Sequence, residues 1–598
     1  MENSGRNGNS KRPQGTRPQG RTTQRTGNPQ RGGRPPQGRT TQGNRRPQQG
    51  SGRPQQRSPQ RANGQRKSSA SRYDDGRQQR GSYSSQYEYE SKRSGVTVRR
   101  KNEKNEKINK AIKIVGYIAC AIQLIFSIVA TIYIIRLKLV PTSYIVTVDV
   151  LLFLLLALFV FMQKWPIPGI IATFMSVIVS TILVIACFYI KFTYNKIHDM
   201  SGVDTKVDNV NVYVRVEDPA QEITDTNGYV FGILTTLDRS NTENIKKDIE
   251  EILGHQIETI EFDTVQDLVL GLYYNQTQAI ILNDAYMNFV TDTEGFEDTE
   301  SKIRSIYNKS YESKITEEEK HDDYLTSEGR VFTILLCGVD TRGSSITNSN
   351  SDTNILMTIN RDTHQILMIS TPRDYYVPLS ISGGVKDKLT HSGAYGVDVT
   401  MDTLEMLYGV NVEDYVRINF DGFIDVIDAL GGISVYSDCD FVAFDNDVTN
   451  LGDYPFHQGY NEVDGAHALL FARERHAFAE GDRQRGKNQM AVIEAMIDKA
   501  LSPQILKNYT SIWNEVSDCV VTSMEYDEIA DFVKTQLSEG TKWDVQKYSV
   551  TGFDLMTTAY STGSAQVYVM DPDMETVNQA KEYLRQIYSG EIVSVPEQ

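Results

Sequence analysis

A short stretch of the chain collects side chains that can hold phosphoryl oxygens. Guanidinium groups bind such oxygens through paired hydrogen bonds and keep their charge when they leave water. Apolar residues at helical spacing from 492 to 500 predict a core-facing helix, and its stripe continues back through an amide and a guanidinium. The residues concerned are Arg473, Arg475, Asp482, Arg485 and Gln489. Together they indicate an anion site. The alternative is that they are solvated charges around a loop.

Two carboxylates are placed where a cation could join that anion. The continuous apolar run Val331–Cys337 predicts a buried strand, and Asp340 follows its end. Asp352 precedes the next predicted strand, Ile355–Ile359, after a loop rich in Ser and Asn. Two carboxylates at neighbouring sheet edges can hold Mg2+, which takes few protein ligands and shares its shell with substrate phosphates. The alternative for Asp352 is a turn cap.

The elements around these residues predict an α/β domain over 330–505. The strand Gln365–Ser370 is expected to form a hairpin with the preceding strand through the turn Asn360–Thr363. A helix is predicted over Ile424–Leu430, where two glycines stop it. Residues 506–598 are predicted to be a C-terminal α/β extension of this domain.

A second, smaller α/β domain is predicted upstream, over residues 205–320. Strand and helix patterns alternate there from Tyr229–Thr235 to Ala279–Leu282, which favours a partly parallel sheet. Its sequence contains no Gly-rich phosphate loop and no charged constellation. We therefore interpret it as an accessory or recognition domain.

Three apolar runs predict a membrane anchor over residues 108–195. They are Ile114–Ile135, Tyr144–Met162 and Ile167–Ile190, each close to the ~20 residues that cross a bilayer. Basic residues cluster before the first run and are few in the next loop. The positive-inside bias therefore predicts a multi-pass protein of the cell membrane, with a cytoplasmic N-terminus and everything after the third run outside.

The N-terminal segment, residues 1–107, is predicted to be a disordered basic tail. It is rich in Arg, Gln, Pro, Gly and Ser, although the whole chain has a net charge of -15. Such a tail would lie near anionic membrane lipids. RNA binding is the alternative that its Arg and Tyr content leaves open, but no specific nucleic acid is expected. The five cysteines show no CxxC or zinc spacing, which argues against a disulfide framework.

Several motifs in a fixed order resemble the LytR-CpsA-Psr family, membrane-anchored enzymes of bacterial cell-wall assembly. They run from Phe332 to Leu501 and read GVDTR, SDT, TPRD, DKLTH, GAYG, INFDGF, DALGG, ARER and GDRQRGKNQ. The resemblance implies a mixed-sheet α/β catalytic domain with helices on both faces. The three transmembrane helices and the small α/β accessory domain would precede it.

The resemblance also implies an activity. Family members transfer a glycopolymer, such as teichoic acid or capsule, from an undecaprenyl-pyrophosphate carrier to peptidoglycan, with Mg2+. The products would be a phosphodiester and a polyprenyl monophosphate. Two alternatives remain open: a membrane-anchored sensor that binds such lipids without turnover, and a transcriptional regulator acting through the basic tail. The predicted topology disfavours the regulator, because the tail and the charged constellation lie on opposite sides of the membrane.

The resemblance assigns roles to the candidate residues. Asp340 and Asp352 would hold the metal ion, and Asp482 would orient the arginines or assist proton removal. Further substrate contacts are expected from Arg342, Asp374, Phe420 and Phe423; the two aromatic rings, with Ile424 and Leu470, would line a polyprenyl pocket, unless they are ordinary core residues. The pyrophosphate would be bound by Arg373, Lys388, Arg473, Arg475, Arg485 and Gln489.

The sequence departs from the family pattern at two positions. Asn350 stands where the family often has Arg, two residues before the Asp of SDT, and Arg342 is the candidate to replace that phosphate contact. Asn488 stands where an Arg commonly precedes the Gln. This second change matters less, because the spacing from Asp482 to Arg485 and Gln489 is kept.

Overall fold

The protein contains two mixed sheets preceded by three long apolar helices. The computed structural model describes residues 83–315, 324–326, 329–339, 346–445, 449, 451–501 and 509–596. From Ser91 onward, the described residues form one compact unit. Asp340 and Arg342 lie outside the described residues.

Three helices of the N-terminal region are long and apolar enough to cross a membrane, as the sequence predicts. The first begins well before the predicted boundary at 107, so residues 83–107 belong to a helix rather than to a disordered tail. The Glu–Lys pairs at 103/107 and 106/110 favour this extension because they are four residues apart. The helices are α1 (Tyr83–Leu137), α2 (Thr142–Met162) and α3 (Pro166–Met200).

A five-stranded sheet follows α3. Its order is β3-β2-β4-β1-β5, with β2 parallel to both β3 and β4, and β1 antiparallel to β4 and β5. Separate apolar clusters lie on its two faces, one against α4 and one against α5 and α6. The elements are β1 (Thr205–Arg215), β2 (Val230–Leu234), α4 (Arg239–Leu253), β3 (Glu258–Phe262), α5 (Val265–Tyr273), β4 (Ala279–Asn283), α6 (Met287–Thr291), α7 (Thr299–Lys302) and β5 (Ile303–Lys314).

A six-stranded mixed sheet forms the centre of the remaining chain. The hairpin predicted from sequence is present, and the strand predicted over Val331–Cys337 is buried at the middle of the sheet. Its first elements are β6 (Val331–Val339), β7 (Ser351–Asn360), β8 (Gln365–Ser370), β9 (Tyr376–Pro378), β10 (Lys386–Lys388), α8 (Ser392–Tyr395), α9 (Val397–Tyr408), β11 (Asp414–Asn419) and α10 (Phe420–Leu430).

The α10 helix begins four residues before the predicted start, because the Asn419 side chain accepts a hydrogen bond from Gly422 N and caps the helix. Two short antiparallel strand pairs, one enclosed by the other in sequence, and three helices follow it. These elements are β12 (Ile433–Ser437), β13 (Phe441–Ala443), β14 (Tyr454–Phe456), β15 (Gly459–Val463), α11 (Gly465–Arg473), α12 (Asp482–Ala500) and α13 (Tyr509–Cys519).

The C-terminal segment completes the six-stranded sheet, so the predicted boundary at 505 does not separate two sheets. The strand order is β16-β11-β6-β7-β8-β17; β16 and β17 form the two edges. Helix α15 buries an apolar face in the core cluster that contains Leu335 and Leu356 of the central strands. The last elements are β16 (Val520–Thr522), α14 (Tyr526–Glu539), β17 (Asp544–Ser549), β18 (Gly552–Thr558), β19 (Gln566–Pro572) and α15 (Met574–Tyr588).

The apolar helices contact the six-stranded part directly. Tyr526 at the start of α14 donates a hydrogen bond to Leu137 O at 2.6 Å and packs with Ile197 of α3. Lys138 Nζ lies 2.5 Å from Asp527 Oδ2. Helix α14 therefore packs against the loop after α1 and the last turns of α3.

Candidate active site

A narrow recess lies where β8 ends and α12 begins. The start of β7 and the end of β17 close its sides. The recess brings together five of the residues singled out in the sequence, which come from three segments far apart in the chain. Its lining residues are Asp352, Asn354, Ser370, Thr371, Pro372, Arg373, Asp482, Arg483, Arg485, Gly486, Gln489, Ser549 and Val550.

Helix α12 is held so that its first turn borders the recess. Val492 and Ala495 pack into the apolar cluster shared with α10 and α11, whereas Met490 packs against the central sheet. At Gly486 a Cβ atom would collide with Ser370 Oγ, so only glycine permits this close approach of the helix to the end of β8. Of the stripe predicted over residues 492–500, Val492 is buried, Ile493, Met496 and Ile497 are partly buried, and Ala500 is exposed. The buried side of the helix holds its polar first turn beside the sheet.

The first turn of α12 contains a buried carboxylate–guanidinium pair. Asp482 and Arg485 form an ion pair three residues apart. Burial raises the pKa of the Asp482 carboxyl and Arg485 opposes that effect, with Asp374 raising the pKa further. Arg373 and Arg475 also lower the pKa of Asp482. A carboxylate with a raised pKa accepts a proton more readily near neutral pH.

Arg373 follows β8 and is held between two carboxylates. Its Nη1 lies 2.8 Å from Asp352 Oδ1, and its Nε lies 3.7 Å from Asp374 Oδ1. Burial opposes the charged form, but Asp352 and Asp374 outweigh it and raise the pKa of Arg373. Thr390 Oγ1 donates a further hydrogen bond to Asp352 Oδ1 at 3.1 Å. The guanidinium therefore stays charged and is oriented before any substrate arrives.

Lys388 is buried beside Arg373 and does not face open solvent. Its Nζ lies 2.6 Å from Asp292 Oδ2 and 3.0 Å from Asp374 Oδ1, with 7% of the side chain exposed. Burial opposes the charged form, while Asp374 and Asp292 raise the pKa of Lys388. The geometry thus ties Lys388 to Asp374; direct binding of pyrophosphate by Lys388 stays a prediction.

Arg473 and Arg475 occupy different surroundings. Helix α11 ends at Arg473, whose guanidinium lies 4.3 Å from the centre of the Phe420 ring, a cation–π contact. Glu474 is extended, and Arg475 is exposed with its Nε 3.4 Å from His476 Nε2. Neither arginine lines the recess, although the charge of Arg475 reaches Asp482.

The predicted lipid-lining side chains lie between α10 and α11. Leu470 is 3% exposed within the apolar cluster of these helices, and Phe423 packs against the same cluster. Phe420 lies under Arg473. These contacts are those of core residues, and a role in holding a polyprenyl chain stays a prediction.

The predicted metal site is only partly described. Asp352 is in place at the recess, whereas its expected partner Asp340 lies outside the described residues. Within the described ranges no group of three or more His, Cys, Asp and Glu side chains is arranged to hold a metal ion. One carboxylate at a phosphate site is compatible with Mg2+, since this ion keeps several waters and takes its other ligands from substrate phosphates.

The two departures from the family pattern lie on buried side chains. Asn350 is 3% exposed in the loop that leads into β7. Asn488 faces α11, where its Nδ2 donates to Phe471 O at 3.2 Å and its Oδ1 accepts from Gln484 at 3.1 Å. Asn488 therefore serves the contact between two helices, which explains why an arginine can be absent there.

Sequence reasoning missed two residues that belong to the charged cluster. Asp292 follows α6, within the predicted accessory domain, and it contacts Lys388. His391 is fully buried, with its Nδ1 2.8 Å from Asp387 Oδ1 and its Nε2 3.5 Å from Asp292 Oδ2. Burial opposes its charged form, but Asp387 and Asp292 raise the pKa of His391. No sequence pattern marks Asp292, because its partner is 96 residues away.

Comparison with known proteins matches residues 299–584 to the model of the LytR_cpsA_psr family. A polyisoprenyl-teichoic acid–peptidoglycan teichoic acid transferase, TagU of Enterococcus faecalis, is 32% identical over 254 residues, which cover 42% of this chain and 80% of TagU. TagT of Bacillus subtilis, which has the same descriptive name, is 37% identical over 185 residues, covering 30% of this chain and 56% of TagT.

Among solved structures, the crystal structure of B. subtilis TagV matches 45% of this chain and 100% of its own, with 26% identity and a TM-score of 0.37. The residues matched by the family model include the strands of the six-stranded sheet. The transmembrane helices and most of the five-stranded sheet lie outside the residues matched by the family model.

Proposed function

Because this chain belongs to the LytR-CpsA-Psr family, we propose that it is a phosphotransferase that moves a glycopolymer from a polyprenyl-pyrophosphate carrier to peptidoglycan. The curated relatives act on polyisoprenyl-linked teichoic acid and peptidoglycan, as their names state. Teichoic acid, or a comparable polymer such as capsule, is accordingly the cargo that we propose.

The observation that carries the proposal is the recess between β8 and α12. Two guanidinium groups, those of Arg373 and Arg485, are buried there as ion pairs with carboxylates, next to the amide of Gln489. A phosphoryl oxygen can take the place of a carboxylate oxygen on a guanidinium, since both accept paired hydrogen bonds from its planar fork. The recess is thus built to exchange its internal anions for those of a substrate.

The proposed reaction is an attack by a peptidoglycan hydroxyl on the phosphorus that bears the polymer. A new P–O bond forms to the acceptor oxygen, and the P–O bond to the bridging oxygen of the pyrophosphate breaks. The electron pair leaves with polyprenyl monophosphate, so the products are a phosphodiester and that lipid. Asp482 is the group that we assign to take the hydroxyl proton, because burial raises its pKa. Arg373, Arg475 and Arg485 stabilise charge on the transferred group.

Mg2+ is the cofactor that we propose for this reaction. Asp352, with Asp340 from the adjoining segment, would hold the ion. When bound, it would neutralise negative charge on the pyrophosphate and favour departure of the lipid phosphate. The carboxylate of Asp352 suits this ion. Chelation tests the requirement for the metal directly.

We also propose that the transfer takes place on the outer side of a cell membrane. The three apolar helices provide the anchor, and the basic residues before α1 favour a cytoplasmic N-terminus. An outer site meets a donor that is already activated as a pyrophosphate, so no nucleotide is needed. The contacts of α14 with the ends of α1 and α3 would keep the recess near the lipid surface.

The test is transfer by the full chain, purified in detergent, from a polyprenyl-pyrophosphate-linked saccharide to peptidoglycan fragments with Mg2+. We expect release of polyprenyl monophosphate and phosphodiester-linked saccharide on the acceptor. Arg475→Ala should lower the rate by about 100-fold or more, since the family resemblance assigns Arg475 to the pyrophosphate. Addition of a chelator should stop the reaction, and fresh Mg2+ should restore it.

The matched control is Arg585→Ala, which removes an exposed arginine on α15, outside the lining of the recess. It should leave the rate within about twofold of wild type. If the wild-type chain binds the lipid with high affinity and never turns it over, a non-catalytic sensor is the correct function. Sequence-selective DNA binding by residues 1–107 would instead favour the regulator.

A further inference from the structure

One carboxylate of the charged cluster comes from the five-stranded sheet region. Asp292 directly follows α6, which packs on that sheet, yet its side chain contacts residues of the six-stranded part. It lies 2.6 Å from Lys388 Nζ and 3.5 Å from His391 Nε2. About a quarter of the Asp292 side chain remains exposed.

Charges of opposite sign alternate on both sides of Asp292. On one side His391 connects it to Asp387, whose Oδ1 and Oδ2 also accept hydrogen bonds from Ser561 Oγ at 3.0 Å and Ser561 N at 2.9 Å. On the other side Lys388 connects it to Asp374, which adjoins Arg373 of the recess. Each cation thus has a carboxylate on both sides, and removal of one carboxylate must shift its neighbours.

The segment that carries Asp292 is firmly seated. Phe289, three residues before it, is fully buried, and its ring lies 4.8 Å from the ring of His391 and 5.6 Å from that of Tyr395. Gln266 Nε2 donates to Phe289 O at 2.8 Å and to Thr293 Oγ1 at 3.2 Å. Because α5 and α6 are fixed in this way, the carboxylate is delivered at a defined position.

We propose that Asp292 is a positioning residue of the active site: it fixes Lys388, which holds Asp374 against Arg373, so that the five-stranded sheet region supports the phosphate site from behind its lining residues. Asp292 does not line the recess, so it acts through Lys388 and Asp374. The inference deepens the proposed function and rests on it. It means that the accessory region is required for the geometry of the reaction, beyond any part in recognition.

The test uses Asp292→Asn in the full chain, which keeps the size of the side chain and removes its charge. Lys388 then relaxes toward Asp374 and draws it away from Arg373. We expect the turnover number to fall about 10- to 100-fold, as is usual when a group that orients a site residue is lost. Binding of inorganic pyrophosphate, measured by calorimetry, should become roughly 2- to 5-fold tighter, because one negative charge near the anion is gone.

This divergence separates positioning from structural damage, which would weaken turnover and binding together. Asp292→Glu restores the charge on a longer arm and should recover part of the turnover. The matched control is Asp398→Asn, which alters a second carboxylate–lysine pair between the two sheet regions, 3.2 Å from Lys206 Nζ and outside the recess. It should leave turnover and pyrophosphate binding within twofold of wild type.

Two results would overturn the inference: Asp292→Asn indistinguishable from Asp398→Asn in both measurements, or loss of pyrophosphate binding in step with turnover. If the wild-type chain shows no transfer at all, the proposed function fails, and the pyrophosphate titration alone decides the role of Asp292. Tighter binding in Asp292→Asn and unchanged binding in Asp398→Asn would then still support it, whereas equal binding would refute it.

Discussion

Each of the two sheets ends in a cluster of buried and partly buried carboxylates, but the partners of those carboxylates differ. In the five-stranded sheet, Asp208 and Asp238 accept hydrogen bonds only from amides among the contacts the structure describes, at 2.8 to 3.1 Å. In the six-stranded sheet the carboxylates pair with cations. The amides belong to Asn241, Asn283 and Asn348; the ion pairs join Asp352, Asp374 and Asp482 to Arg373, Lys388 and Arg485.

The difference teaches which cluster can bind an anion. An amide donor is neutral, so displacement of a carboxylate from it by a phosphate brings no gain in charge interaction. A guanidinium keeps its charge and its fork of donors when one anion replaces another. The amide cluster therefore connects the two sheet regions. Asn348, in the loop that leads to β7, donates a hydrogen bond to Asp208 of β1 at 3.0 Å. The cationic cluster is the one equipped for chemistry.

The largest effect that would sharpen this comparison is expected for Arg485→Ala. The substitution removes the fork that faces the recess and leaves Asp482 buried without its closest partner. We expect the transfer rate to fall about 100- to 1,000-fold, the usual loss when a group that stabilises the transition state is deleted. Arg485→Lys keeps the charge but not the paired donors of the guanidinium, so its transfer rate should lie between those of Arg485→Ala and wild type. A steady-state assay would measure all three rates. Equal rates for Arg485→Ala and wild type would remove the basis of the comparison.

The sequence predicted the cationic cluster better than the amide cluster, for physical reasons. Arg485 and Gln489 continue an apolar helical pattern, and Asp352 precedes a predicted strand, so local pattern singled out these three residues. The role of Arg373 came instead from the resemblance of its motif to the family. Asp292 carries no such pattern, and its contacts depend on how two sheets pack. The edge strand β17 is parallel to β8, yet it begins 174 residues after β8 ends, and pairing over such a separation leaves no local trace.

Arg473 shows the same limit at short range. Arg473 and Arg475 are two residues apart, so their side chains would lie on one side only if the segment were extended. The helix α11 instead continues through Arg473, and the aromatic ring of Phe420 from α10 takes its guanidinium. Where a helix ends within one residue of a motif, the packing of its neighbour decides the direction of the side chain, and the motif alone cannot.

A second substitution tests the amide cluster of the five-stranded sheet. Asn283 is 3% exposed and donates to both Asp208 and Asp238. Asn283→Leu should lower the free energy of unfolding by about 2 to 4 kcal/mol, because two buried carboxylates each lose a donor. Chemical denaturation would measure it. The turnover number of the molecules that remain folded should stay within about threefold of wild type. A collapse of turnover without loss of stability would show that the amide cluster takes part in catalysis.

The smallest effect concerns the pH dependence of stability. Burial raises the pKa of Asp238 to about 7; the amides of Asn283 and Asn241 lower it, and Asp208 raises it. The native state therefore binds a proton that the unfolded chain, with an ordinary Asp pKa near ~4, releases. The contribution of Asp238 to stability is fully present below the pKa of the unfolded chain. It is lost as the pH rises through the pKa of the folded protein, about 7.

Thermal unfolding followed from pH 5 to pH 8 would detect this loss. In Asp238→Asn the group cannot ionise, so the decline should be shallower than in wild type by about 1 to 2 kcal/mol. His391 also has a raised pKa and loses its contribution in the same direction, so part of the slope should persist in that variant. His391→Gln serves as the matched comparison, since it removes only the second part. If Asp238→Asn leaves the pH dependence of stability unchanged, the amide donors alone keep the Asp238 carboxylate ionised. The two clusters would then differ less in charge than their geometry indicates.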